Sequence, residues 1–471
     1  MQLTLILAYI VLMVVLGAYY TRRVKSSEDF MVAGRSLPQM VLAGTLLATF
    51  LGSGTIVGGA SFIYQYGPWA AIFFFAGSPI GVIIMYFYLA DRIRGVGSYT
   101  VPEILELRYG AATRAVASVI ILLAFIGIVS YQFTGAGYVL NITTGMPVWL
   151  GTLIAAFAII FLATIGGLVS VAYTDAISAV IILAGLLIAV PIIVGEIGGL
   201  SQISEGLPAP QNSWNGGLSF PQLVGYFLPL FLLLLGDQNI YQRFSAAENP
   251  GTAKRSAVGF FVGLLASIIP VIILASAAIV LLPNINPDTA ILSLAGSATL
   301  PTFLGGLLLA AAIGIILTTG NSYLLSSSGN LVYDLYQRLL GRELPRGREL
   351  LFNRLAVLLL GIIAYVLGQF FPSVLALQIY SYTMYGAAIT PALVAALLWR
   401  GATAAGGLAS VIVGGAVTLA WELILGQPLG WNSVLIALPA SIIALIVVSR
   451  VTGGDSRGRL AGELSSRRAS T

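Results

Sequence analysis

Nearly charge-free apolar stretches of about 20 residues recur from one end of the chain to the other, and no water-soluble fold has room to hide them. They lie near 2–20, 38–62, 69–91, 113–139, 147–166, 172–195, 219–241, 255–282, 301–333, 352–371, 373–397, 402–425 and 432–450. Each is long enough to cross a hydrocarbon layer as a helix. Of the 471 residues, 58% are hydrophobic and 8% charged, with a mean hydropathy of +0.98. Soluble domains carry about 25% charged residues. The expected architecture is an all-α integral membrane protein of about thirteen transmembrane helices, forming one domain over residues 1–450. The segment 451–471 is polar and rich in Arg and Ser, and reads as a disordered cytoplasmic tail.

Two of the stretches are interrupted by residues that a membrane helix avoids without cause. Gly52-Ser53-Gly54 sits inside the second, and Thr318-Thr319-Gly320-Asn321-Ser322 inside the ninth. In hydrocarbon every backbone N–H and C=O must find an internal partner, so a broken helix survives only where the freed groups face a ligand or cavity. That pattern is expected of a solute transporter. Stretches two to six and seven to eleven form two sets of five, about 38–195 and 219–397. An odd number of crossings makes the second set enter from the opposite side, the arithmetic of an inverted repeat. Gly225 and Pro229 in the seventh stretch supply a matching expected break near mid-membrane.

Charge supplies the orientation. With the N-terminus outside and thirteen crossings, all 22 Lys and Arg residues fall on the cytoplasmic side, in the clusters Arg22 to Arg35, Arg92 to Arg114, Arg243 to Arg255 and Arg338 to Arg354, at Arg400 and in the tail. Retention of positive charge inside predicts this segregation for a multi-pass protein of the cell membrane. No Lys or Arg is expected within a span. The net charge of +5 therefore implies neither a nucleic acid nor an obligate protein partner. With no cysteine and no histidine, proton chemistry would have to use carboxylates. No nucleophile with a base, metal-ligand cluster or nucleotide-binding loop is visible, so an enzyme is not expected.

Five short blocks carry a resemblance: Phe30-Met31-Val32-Ala33-Gly34-Arg35-Ser36-Leu37-Pro38; Tyr99-Thr100-Val101-Pro102-Glu103 through Tyr109-Gly110; Gly166-Gly167-Leu168 with Val171 and Tyr173-Thr174-Asp175; Gly236-Asp237-Gln238-Asn239 with Gln242-Arg243-Phe244; and Asn330-Leu331-Val332-Tyr333-Asp334-Leu335-Tyr336. Taken in order, they resemble the sodium:solute symporter family. The resemblance implies a leucine-transporter-like core of five plus five inverted spans, with Na+ as the coupling ion at the breaks. It implies sodium ligands in the backbone carbonyls of Ala48, Leu51 and Ile315 and the hydroxyls of Thr318 and Thr319. A hard cation wants several oxygens, and a half-helix ending before Gly52 presents unpaired carbonyls at the negative end of its dipole. The ordinary alternative for Thr318 and Thr319 is a hydroxyl bonded back to a carbonyl one turn earlier.

In the family the aspartate matching Asp175 lines the cytoplasmic sodium path, at times beside a second sodium. Its own stretch holds no Lys or Arg to pair with, and intramembrane carboxylates usually face a cavity or ion path. A helix-start carboxylate at the interface is the plainer reading. Asp237, Gln238 and Arg243 read as a structural polar cluster closing the seventh stretch. The positions matching the family's substrate residues are Phe50, Gly52, Ser53, Gly54 and Thr55, then Leu230, Leu233 and Leu234. They offer few hydrogen bonds, so a sugar is disfavoured. The expected function is sodium-coupled import of a small organic solute, an amino acid or a monocarboxylate, across the lipid bilayer. A proton-coupled symporter of the same fold, working through Asp175, and a transport-like sensor are the alternatives.

Overall fold

The structure is a computed structural model that describes residues 1–21, 27–96, 98, 100–165, 168–344 and 348–453. Arg22, Arg23, Lys25, Tyr99, the Gly166-Gly167 turn and the expected tail from residue 454 lie outside the described residues.

Among the described residues no strand forms, and the one isolated bridge joins Leu37 to Ala247. In chain order the principal helices are α1 (Gln2–Thr21), α2 (Gln39–Phe50), α3 (Gly54–Val96), α4 (Ala111–Thr144), α5 (Val148–Ile165), α6 (Leu168–Ile197), α7 (Phe220–Gly236), α8 (Gln238–Ser245), α9 (Pro250–Leu281), α10 (Thr302–Leu339), α11 (Glu349–Gly368), α12 (Val374–Leu398), α13 (Ala404–Ile424) and α14 (Val434–Val451). Among the described residues eleven helical segments are long and apolar enough to cross a membrane, α7 and α8 being joined as one, while α2 and α5 are shorter. The expected thirteen crossings therefore require the short helices and both sides of a bend in α3 to be counted. That bend falls at Gly67, with φ +84° and ψ 172°. A Cβ there would lie 1.9 Å from the Gln211 carbonyl oxygen, so both the conformation and the space demand glycine.

The hydropathy of the sequence becomes a radial order. α10 is the innermost long helix, with 89% of its most apolar window buried, against 17% for α1 and 28% for α14. It packs on α1, α4 and α6, while α7 packs on α3 and α12. Outer helices turn apolar side chains away from the protein at one-turn spacing: Val11 and Val15 on α1, Phe157 and Phe161 on α5, Ile362 and Val366 on α11. Apolar surface on that scale belongs against lipid.

Two interruptions differ from the sequence expectation. α10 runs as helix through Thr318 to Ser322 and changes to a wider π-helical turn at Asn330–Leu339. The hydroxyls of Thr318 and Ser322 bond back to carbonyls of their own helix, so polar residues here need not break it. α7 likewise continues through Pro229 and stops at Gly236. Asp237, with φ −58° and ψ 120°, accepts from Asn239 N–H at 2.7 Å and caps α8. The extended backbone at Asp237 ends α7 and its side chain starts α8, whereas Pro229, which removes one donor, leaves α7 helical.

Candidate functional site

The break between α2 and α3 leaves backbone groups without helical partners, and side chains from three helices take them up. Ser53 N–H donates to Gln132 Oε1 on α4 at 2.8 Å. Thr55 Oγ1 donates to the Phe50 carbonyl at 2.7 Å, and Thr319 Oγ1 on α10 donates to the Ala48 carbonyl at 3.2 Å. A Cβ on Gly52 would lie 2.8 Å from Thr319 Cγ2 and 3.0 Å from Gln132 Nε2, so glycine is what lets α10 approach the break.

These contacts gather oxygens. Thr319 Oγ1 also donates to the Ile315 carbonyl at 2.7 Å, and Thr318 Oγ1 donates to that carbonyl at 3.1 Å. Ala48, Ile315, Thr318 and Thr319 thus meet in one buried cluster joining α2 to α10, with Leu51 at its edge as the first non-helical residue of the break. All these groups are neutral acceptors or hydroxyls, a donor set that suits a weakly held hard cation.

Asp175 departs from expectation. It is buried and paired: Arg243 Nη2 donates to Asp175 Oδ2 at 3.0 Å, with side chains 0% and 1% exposed. Thr45 Oγ1 donates to the same oxygen at 2.7 Å, Arg243 Nε donates to Thr45 Oγ1 at 2.9 Å, and Arg243 Nη2 also reaches Ser322 Oγ. Thr318 stands beside the same carboxylate. The expectations that Asp175 lacks a basic partner and that no arginine enters a span are both corrected, because the partner comes from α8, 68 residues along the chain. No reading of the local segment could supply it.

The expected solute residues divide. Gly54 faces the hydroxyls of Tyr131 and Tyr382 and the amide of Gln378. Ser53 packs against Gly135 of α4, and Leu230 and Leu233 are buried on α7. Phe50 makes an edge contact with Phe260 of α9, and Leu234 lies against Gly81 of α3. Gln132 and Gln378 were missed. Each is a lone amide in an otherwise apolar stretch, a signal of the kind that marks function inside a membrane.

The sequence blocks converge at the basic end of the molecule. Asp334, fully buried, accepts from Arg114 Nη2 at 2.5 Å and from Thr100 Oγ1 at 3.1 Å. Arg114 and Arg338 both engage Glu106, at 2.5 and 2.6 Å. Burial opposes ionisation of the Glu106 carboxyl, but hydrogen bonds from Arg338 and Arg114 hold it below the usual carboxylate range. Gln238 accepts from Val101 N–H at 3.0 Å and donates to the Ser326 carbonyl at 3.3 Å, and Tyr323 donates to Asp237 at 2.5 Å. Leu37 N–H donates to the Ala246 carbonyl at 3.0 Å. Segments more than 200 residues apart are thereby locked into one polar lattice.

Relatives place this arrangement in context. The chain is 26% identical to a protein described as sodium/proline symporter 2 of Staphylococcus saprophyticus, over 95% of its length and 92% of the relative. It is 28% identical to the high-affinity proline transporter PutP of Bacillus subtilis, over 87% and 89%. Among solved structures it superposes on a Na+-coupled sialic acid symporter in a substrate-bound outward-open state with a TM-score of 0.81 at 19% identity, covering 96% of this chain and 98% of the other. It also superposes on MhsT in complex with L-phenylalanine with a TM-score of 0.53 at 17% identity, covering 87% of this chain and 97% of the other. The sequence profile of the sodium:solute symporter family matches residues 30–414, and the chain belongs to that family.

Proposed function

We propose that this protein is a secondary active symporter that couples inward sodium movement to import of a small organic solute by alternating access. The observation that carries the reading is the meeting of Thr319 Oγ1 with the Ala48 and Ile315 carbonyls at the break beside Gly52. Sodium would take the carbonyls of Ala48, Leu51 and Ile315 and the hydroxyls of Thr318 and Thr319. Binding there ties α2 to α10 and so biases the protein between its two open states. Asp175, whose Oδ1 has no hydrogen-bond partner, would serve the sodium path or a second ion beside Thr318. The solute would occupy the space bounded by Phe50, Ser53, Gly54, Thr55, Leu230, Leu233 and Leu234. Proline, named for the relatives, makes an amino acid the favoured class.

The coupling is energetically sufficient. One charge crossing about 100 mV gains about 2.3 kcal/mol, enough to concentrate a neutral solute roughly 50-fold. Proton coupling through Asp175 is disfavoured by the direct contact with Arg243, and the sensor reading has no observation in its favour. The inverted repeats, thirteen crossings, exterior N-terminus and cytoplasmic C-terminus belong to the same proposal.

Uptake of radiolabelled amino acids into proteoliposomes tests it. Accumulation that requires an inward sodium gradient at fixed pH is expected, and accumulation indifferent to sodium overturns the reading. The chain has no cysteine of its own, so single cysteines report orientation. One at Ser213 should react with an impermeant reagent on intact cells and one at Gly341 should not; the reverse pattern overturns the topology.

A further inference from the structure

Beyond the break, one face of α3 carries three small residues at helical spacing, Gly54, Gly58 and Ser61. Each meets a polar group from elsewhere. A Cβ on Gly54 would lie 2.7 Å from the Tyr382 hydroxyl and 3.2 Å from that of Tyr131, and the two hydroxyls are 3.1 Å apart. A Cβ on Gly58 would lie 2.0 Å from Gln378 Oε1, so a side chain there would collide with that oxygen. Ser61 approaches Asp288. A polar wall therefore climbs turn by turn from the tyrosine pair through Gln378 to Asp288.

Asp288 sits in the loop between α9 and α10. Its Oδ2 accepts from Val374 N–H at 2.9 Å, at the first residue of α12 and one turn before Gln378 on the same helix. Its Oδ1 has no hydrogen-bond partner although the residue is only 2% exposed, and Gln378 Oε1 is equally unpartnered at 2%. The hydroxyls of Ser61 and Tyr138 also reach the carboxylate, but both are neutral groups and neither lies at hydrogen-bond geometry to Oδ1. Among the described residues no Lys or Arg pairs with Asp288. Burial pushes its carboxyl above the ordinary range, against the opposing hydrogen bonds, as expected of a carboxylate that lacks a cation.

Two buried acceptors without partners, one on a carboxylate held at the first residue of α12 and one on Gln378 a turn further along that helix, call for a ligand that brings charged N–H donors. We propose that Asp288 is the residue that selects for the ammonium group of the solute, holding it at the outer end of a track that leads past Gln378 to the break. This rests on the symport reading above and narrows its solute to one bearing an amine. A carboxylate solute without nitrogen would leave both acceptors bare and add a repelling charge. Sodium could also satisfy the carboxylate, and the kinetics below separate the two.

The test uses the full chain in proteoliposomes with an inward sodium gradient. The panel is the amino acids and their nitrogen-free counterparts, such as L-proline against cyclopentanecarboxylate and L-alanine against propionate. Only the amines should be taken up or compete. Asp288→Asn keeps an acceptor for Val374 N–H but removes the charge, and should raise KM for the amine by about tenfold or more while kcat and the sodium half-saturation hold. Ser373→Ala removes the N-cap that accepts from Ala376 N–H at 3.1 Å on the same helix, and should leave KM unchanged.

Equal uptake of a nitrogen-free acid overturns the proposal on the wild-type protein alone, whether or not the variant folds. So does an Asp288→Asn variant with unchanged KM, whether it loses kcat, as a purely structural latch would, or sodium affinity, as a sodium site would. If no panel member is taken up but sodium still raises the thermal stability of the protein, this inference fails and the coupling-ion reading stands. Solute uptake without sodium dependence overturns the symport reading itself.

Discussion

Arg243 donates to Asp175 at 3.0 Å and to Thr45 at 2.9 Å, so one buried guanidinium from α8 holds α6 against α2. Ser322 of α10 shares the same guanidinium, and Thr318 stands beside the carboxylate. Any movement of α8 relative to α2 and α6 must therefore disturb the threonines proposed to bind sodium. A buried ion pair adds little net stability, but losing one partner strands the other charge.

Asp175→Asn and Arg243→Gln should each destabilise the protein by about 3–5 kcal/mol, seen as a large fall in melting temperature in detergent. The double variant Asp175→Asn/Arg243→Gln should be more stable than either single, because neither charge is then left alone. A double variant that sums the two losses would mean the pair is not coupled. Sodium affinity is best compared in that double background, where folding and ion delivery separate.

Thr319 touches the Ala48 carbonyl at the break in α2 as well as its own helix, whereas the Thr318 hydroxyl donates to Ile315 and stands beside Asp175 of α6, away from the break. Thr319→Ala should therefore weaken sodium activation more than Thr318→Ala. A lost ligand worth about 1–3 kcal/mol corresponds to roughly a 5- to 150-fold loss of apparent affinity. Thr302→Ala, at the exposed start of α10, should change little. Unaltered sodium activation in both threonine variants would remove the proposed ion site.

Gly52→Ala puts a methyl 2.8 Å from Thr319 Cγ2 and 2.9 Å from Oγ1, so α10 must retreat from the break. Sodium activation should suffer. Thr319→Ser deletes the clashing methyl and keeps the hydroxyl, and in the Gly52→Ala background it should restore part of the affinity. Without that rescue, the glycine is needed for some other reason.

The polar lattice at the basic end predicts acid sensitivity. The Glu106 carboxyl is held below its ordinary range by Arg338 and Arg114, against the effect of burial, so its folded pKa lies below its unfolded one. Its contribution to stability is present above the unfolded value and is lost as pH falls through the folded one. Thermal stability should decline on acidification below the ordinary glutamate range, and Glu106→Gln should flatten that decline while lowering stability at neutral pH. A variant with the wild-type acid profile would assign the decline to other carboxylates.

Composition alone determined that this chain lives in a membrane as a bundle of helices, because hydrophobic transfer is a sum over local residues and needs no partner to be named. The break at Gly52 was legible for a similar reason: two glycines flanking one serine weaken a helix wherever it packs. The family resemblance then implied sodium ligands in Ala48, Leu51, Ile315, Thr318 and Thr319, and four of these residues are in contact in the structure. What the sequence could not decide were relations between distant segments. Pro229 looked like the breaker of its stretch, yet the chain turns only at Asp237, whose side chain finds the Asn239 N–H and starts the next helix. Gly320 and its polar neighbours looked like an interruption, yet packing on α4 and α6 keeps α10 helical through them. Asp175 looked unpaired because Arg243 lies 68 residues away, and Gln132 reaches Ser53 across 79. Such pairings are set by how helices cross, a property of the packed whole that no single stretch encodes.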